Sequence, residues 1–108
     1  MMPQNIYTSE NPPILVPREL SLSQFILKYN PDSVPADKVI FNELENPSKQ
    51  LTYGSIRKLA AIGAAGLKAK LNLQPGDYVI ILARNSVDWA HLAHSLMWIG
   101  AVCASVES

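Results

Sequence analysis

At 108 residues, 48% of them hydrophobic, the chain has room for one small domain with a modest core and is too apolar for wholesale disorder. Nine Lys and Arg against nine Asp and Glu give a formal net charge of zero, which removes the basic footprint of a nucleic-acid binder and leaves self-association least opposed. The single cysteine, Cys103, excludes an intramolecular disulfide, and its apolar surroundings read as a buried structural thiol rather than a nucleophile.

Residues 1–20 hold Pro3, Pro12, Pro13 and Pro17. Proline fixes φ and donates no hydrogen bond, so this stretch reads as an extended arm, with Ile14-Leu15-Val16 expected to pin it against the body. Ser21 caps a short helix through Tyr29, with Leu22, Phe25, Ile26 and Tyr29 on one face, and Asn30-Pro31 ends it. Lys38 to Leu44 reads as a strand. The polar run 45–50 turns it back onto Leu51-Thr52-Tyr53 in an antiparallel hairpin. Thr52 also caps the next helix, with Ser55 at the capping-box position.

That helix is expected over 53–71, with Ile56, Leu59, Ala60, Gly63, Leu67 and Leu71 as its buried stripe. Gly63 and Gly66 each weaken a helix by up to ~1 kcal/mol relative to Ala, so close approach of a neighbour is the expected compensation at both. Pro75-Gly76 suits the centre of a tight turn. Tyr78 to Ala83 is continuously apolar, the pattern of a strand buried on both faces of a parallel sheet. Ser86 caps a helix over 87–99, with Trp89, Leu92, Ala93, Leu96 and Met97 inward and Gly100 as the C-terminal cap. Residues 101–106 form the closing strand. The fold class is therefore α/β: a partial open sheet with flanking helices, in which a short hairpin precedes a βαβ unit. Residues 21–108 read as an incomplete subdomain, because the sequence ends where such a sheet is expected to continue.

Little here carries chemistry. Gly63 and Gly66 lie within a helix and Gly76 precedes a strand, so no glycine-rich phosphate loop is formed, and the fingerprint of a small dinucleotide binder is missing. His91 and His94 share a helix face, with Asp88 as a local partner for His91, but nothing completes a metal site and both read as partner-facing or solvated. Trp98 shares that face and calls for a covering layer. Arg57, Lys58, Lys68 and Lys70 form a mild, solvated basic face. Arg84 follows the apolar strand at its carboxyl end, where α/β sheets bind ligands, and takes either an anion-binding or a surface role. No catalytic, cofactor-binding or metal residue is assigned. Met1 to Asn5 has neither a basic flank nor an apolar run, no apolar string approaches the ~20 residues of a membrane span, and Ser105 to Ser108 is no targeting tail. A cytoplasmic protein without a membrane span is the expectation.

Five short segments, in order, resemble the N-terminal part of adenylate-forming enzymes of the acyl-CoA synthetase and 4-coumarate–CoA ligase type. They are Leu51-Thr52-Tyr53, Gly66-Leu67, Leu73 to Val79 with its Gly76-Asp77 step, Asn85-Ser86, and Ile99-Gly100-Ala101-Val102. The resemblance implies an AMP-forming acid–thiol ligase that uses ATP, Mg and CoA, with a peroxisomal form conceivable for a full-length member. It also implies that the phosphate loop, acid pocket and catalytic lysine lie beyond the matched region. The chain is thus expected to bind none of those cofactors and to be inactive alone. Its partner is either the missing remainder of the fold or a second copy. The alternative reading is a non-catalytic interaction module that associates through its open sheet edge and the Trp98 face.

Overall fold

The computed structural model describes residues 5–106. Four strands and two long helices follow in the order β1 (Val39–Asn42), β2 (Gln50–Thr52), α1 (Tyr53–Leu71), β3 (Tyr78–Leu82), α2 (Val87–Ile99) and β4 (Val102–Val106), preceded by a π-helical turn at Gln24–Tyr29.

Local chemistry accounts for the ends of these elements. The Thr52 hydroxyl accepts from the Ser55 amide and the Ser55 hydroxyl reaches back to Thr52, a complete capping box. Ser86 Oγ accepts from the Trp89 amide and starts α2. Gly100, at φ 93°, closes it in the left-handed region where a glycine is unstrained. At the amino-terminal turn Ser21 and Gln24 cap each other reciprocally, at 3.3 and 3.0 Å.

β1 and β2 form an antiparallel hairpin, with a bulge at Ile40 between the pairs Val39–Thr52 and Phe41–Leu51. β3 and β4 form a separate parallel pair, Tyr78 opposite Val102 through Leu82 opposite Val106. Their common starting level is set by two glycines with positive φ. The Gly76 amide donates to the Gly100 carbonyl at 2.9 Å, and the Val102 amide then donates to Asp77 at 2.7 Å.

α2 lies between two apolar clusters. On one side Val87 and Ala90 join Leu27, Leu51, Tyr53, Ile56 and Ala60, with Trp89 and Trp98 packed alongside. On the other, Ala93 and Leu96 join Ile81 and Ala101, with Val79, Met97 and Cys103 around them. Tyr53 extends the first cluster into a polar tie, its hydroxyl donating to the Ile26 carbonyl. Every buried side-chain nitrogen and oxygen among the described residues has a hydrogen-bond partner.

Several expectations are corrected. Ile14, Leu15 and Val16 are 83, 94 and 71% exposed, so they do not pin the arm. The radius of gyration, 17.2 Å, exceeds the roughly 13 Å expected of a compact chain of this size. In the amino-terminal turn Ser23 and Leu27 are buried, while Leu22, Ile26 and Tyr29 face outward. The wider π-helical turn and the pull of the Ser23–His94 contact described below bring that opposite side inward. Leu71 is exposed because α1 outlasts the surface it packs on. A Cβ at Gly63 would collide with Ser95 Oγ, so the close approach is real there, whereas Gly66 has nothing within 4 Å. Most consequentially, β3 is covered on one face only. Ile81 is 5% exposed, but Tyr78, Ile80 and Leu82 are 80, 71 and 66% exposed, because both helices lie on the Ile81 side.

Candidate functional site

A hollow of about 750 Å³ opens at the carboxyl end of β3, where the chain passes from Arg84 into α2. Its walls are the end of β1 and the residues after it (Phe41 to Glu45), the loop Arg84-Asn85-Ser86, and Val87, Trp89 and Ala90 of the first turn of α2. This is the place an open α/β sheet offers to ligands. The end of α2 is already occupied, however. Glu43 Oε1 accepts from the Val87 amide at 3.2 Å, and Ser86 Oγ accepts from Trp89 at 3.0 Å, so the chain's own groups take two of the amides an anion would use.

Lys49 completes this arrangement from the hairpin loop, 3.5 Å from Glu43 Oε1 and 3.0 Å from Asp88 Oδ2. The Asp88 hydrogen bond first, then the charges of Asp88 and Glu43, raise the Lys49 pKa above its usual range. Both partners of the Lys49–Asp88 pair are solvent-exposed, so the pair adds little to stability. Asp88 therefore pairs with Lys49 and not with His91. Arg84 stands exposed on the rim, without an ion-pair or hydrogen-bond partner among the described residues.

The two histidines are structural ties rather than partner-facing groups. His91 Nε2 donates to the Leu59 carbonyl of α1 at 2.9 Å, since a carbonyl can only accept. His94 Nδ1 is hydrogen-bonded to Ser23 Oγ at 2.9 Å, with the Phe41 ring edge-on against it. Burial lowers the His94 pKa, and no charged neighbour contributes. The Ser23–His94 pair has the elements of a nucleophile and a base, but Ser23 is fully buried and no substrate reaches it. Trp98 is half-buried against the first cluster and lines a smaller hollow of about 440 Å³ between α1 and residues 19–24. The covering layer it called for is within this chain. Cys103 is half-buried with its thiol pKa raised by burial, the state of an unreactive thiol. Among the described residues no three potential metal ligands cluster, and no helix is long and apolar enough to cross a membrane.

The family model described as AMP-binding enzyme matches residues 28–108. The chain belongs to the AMP-binding enzyme family.

Solved structures agree on the fold. The chain is similar to the Klebsiella oxytoca NpsA N-terminal subdomain at 27% identity and a TM-score of 0.65, covering 82% of this chain and 22% of that one. It is similar to a fatty acid AMP ligase from Legionella pneumophila at 20% identity and 0.64, covering 81% and 15%. The anthranilate CoA ligase AuaEII gives 21% and 0.65, covering 84% and 16%. The chain thus spans about a fifth or less of the length of these structures. No curated protein matches it.

The hollow does not fit a nucleoside triphosphate with its metal. The Val87 and Trp89 amides are capped from within, Glu43 and Glu45 on the wall outnumber Arg84 on the rim and disfavour phosphate, and no metal cluster is present among the described residues. Sequence reasoning missed Glu43 and Ser23. Their partners lie 44 and 71 positions away, and an acidic residue after a strand or a serine at a helix start gives no local sign of such a contact.

Proposed function

We propose that this chain is the opening scaffold of an ATP-dependent carboxylic acid:CoA ligase acting through an acyl-adenylate, and that these 108 residues have no ligase activity alone. The observation that carries the second half is the plugged helix terminus, where Glu43 and Ser86 occupy the Val87 and Trp89 amides of α2 in the hollow at the sheet's carboxyl end. The order of Leu51-Thr52-Tyr53, Gly76-Asp77, Asn85-Ser86 and Gly100-Ala101-Val102 supports the ligase half, and coenzyme A as the acceptor rests on that same likeness. Adenylyl transfer depends on groups positioned around the phosphates, and no such set is assembled among the described residues. What the chain supplies is a capped, cross-tied platform on which later strands of a parallel sheet would be laid.

ATP–pyrophosphate exchange with a panel of aliphatic and aromatic carboxylic acids tests the inactivity, and background exchange with every acid is the expected result. Acid-dependent exchange by the purified chain would show the reading to be wrong. The ligase half is tested on the transcript. The frame should continue past the codon for Ser108 into a Ser/Thr/Gly-rich loop, and an immediate stop codon would count against it.

The bare face of β3 favours a second reading, a non-catalytic interaction module. Trp98, the other surface of that reading, is half-buried against the first cluster and lines the smaller hollow.

A further inference from the structure

The amino-terminal turn is joined to α2 by a polar contact whose chemistry depends on a proton. Within residues 21–29, Ser23 and Leu27 are fully buried. Leu27 enters the first apolar cluster, and Ser23 Oγ lies 2.9 Å from His94 Nδ1. That ring nitrogen is the hydroxyl's one partner among the described residues. A buried hydroxyl needs an acceptor for its hydrogen, so the pair calls for a neutral His94 with its proton on Nε2 and Nδ1 accepting. Protonation turns Nδ1 into a donor. The Ser23 hydrogen then has no acceptor, and the imidazolium meets no carboxylate. Facing the ring are the Ser23 hydroxyl from the turn and the Phe41 ring from β1. On α2 itself His91 is one turn back, engaged with Leu59 of α1. Lys28 of the turn, Glu43 beyond β1, Asp88 of α2, and Tyr53 and the basic residues of α1 make no contribution to the His94 pKa, which burial alone lowers.

We infer that Ser23 and His94 form a pH-sensitive latch: neutral His94 holds residues 21–29 onto α2, and its protonation lets that turn lift while α1, α2 and the hairpin stay folded. The hinge follows directly after the turn. Asn30 and Ser33 have positive φ, at 50° and 54°, and the Asn30 side chain bonds to both backbone groups of Val34, which packs on the first cluster. The loop 30–34 thus stays anchored, and the turn swings from Asn30. The helices do not need the turn to remain together. His91 bridges to Leu59, and Ser95 closes on Gly63, both across the α1–α2 contact. Lifting the turn breaks the Ser23–His94 and Tyr53–Ile26 bonds, withdraws Leu27, and removes one wall of the hollow beside Trp98. The proton on His94 thereby controls access to that hollow. Nothing in the latch depends on the ligase reading.

Hydrogen exchange of the 108-residue chain at pH 7 and pH 5, corrected for the pH dependence of intrinsic exchange, is the test. The Phe25 and Asn30 amides bond to Ser21 and Phe25 within the turn. Their protection should fall about tenfold at pH 5, the effect of one buried hydroxyl losing its acceptor. The Ala60 and Leu96 amides should keep theirs. In the natural chain the loss should follow the NMR titration of the His94 ring and not that of His91, a comparison that needs no variant. His94→Gln offers Ser23 an acceptor that does not titrate, and should make protection of the turn the same at both pH values. Ser23→Ala has no hydroxyl to strand and should respond less than the natural chain, with circular dichroism at pH 7 reporting the fold of both variants. Equal protection of the turn at pH 7 and pH 5 in the natural chain overturns the proposal. So does a loss that tracks His91, or one shared in step by Ala60 and Leu96. A full pH response in H94Q, or an undiminished one in S23A, overturns it as well.

Discussion

The two sides of α2 differ in how far their packing is finished. Toward α1, the hairpin and the amino-terminal turn, every layer is present: Ile56, Ala60 and Leu27 are fully buried, and two histidines cross-brace the helices. Toward β3 and β4 there is a single two-stranded parallel sheet, covered by α2 on one face and bare on the other. The difference follows from how each kind of structure gathers its partners. A hairpin and the helix that continues it find their neighbours within a few tens of residues. A parallel sheet needs a crossover for each strand and a helical layer on each face, which takes a longer chain to supply.

Paired substitutions sharpen this contrast. The largest effect should come from adjacent residues of β3: Ile81→Ala should cost about 3 kcal/mol, and Ile80→Ala, on the bare face, under ~0.5 kcal/mol in dilute solution. Urea unfolding would measure both, and equal losses would mean that β3 is covered on both sides. Gly63→Ala should destabilise by roughly 1–3 kcal/mol, because its Cβ would come 2.9 Å from Ser95 Cβ and collide with the hydroxyl. Adding Ser95→Gly should recover part of that loss. Gly66→Ala, one turn along the same helix and in open space, should instead stabilise by up to ~1 kcal/mol. Thr52→Ala removes half of the capping box and should cost about 1 kcal/mol.

The smallest effect is that of pH on the closed side. His94 has its pKa lowered by burial from an ordinary value of 6.5, so the unfolded chain binds this proton more readily than the folded one. The stability contributed by neutral His94 is therefore complete above pH 6.5 and is lost as pH falls below that value through the lowered folded pKa. Urea midpoints at pH 7 and pH 5 should show the loss, and His94→Gln should reduce it. An unchanged pH dependence in that variant would remove His94 as its source.

Much of the fold was legible because its boundaries are written in neighbouring residues. Thr52 with Ser55, Ser86 and Gly100 state the ends of α1 and α2 within a few positions, and both helices have the expected limits. The family likeness was legible for a related reason: its short segments are the turns and caps themselves. What was not legible depended on distance or on what a face meets. Ser23 finds His94, and Glu43 finds Val87, only after α2 has folded between two layers. His91, His94 and Trp98 looked unpartnered because an amphipathic reading assigns one buried face to a helix that here has two. The apolar run of β3 told which environment each of its faces suits, not whether this chain contains the layer to provide it. For the site, the sequence reading assigned no catalytic residue and marked Arg84 at the sheet's carboxyl end, but it did not anticipate that Glu43 and Ser86 take two of the helix amides beside it.

The hydrogen bond from Gly76 to Gly100 gives this architecture a single-proton reporter. It joins the turn before β3 to the cap before β4, and so it forms only when α2 has returned the chain to its starting level. Because Gly76 has no side chain and faces open space, its amide is shielded by that bond and not by bulk. Its exchange with deuterated solvent is thus a clock for the opening of the βαβ crossover alone, separable from the opening of the hairpin and α1, and it would show which half of the molecule lets go first.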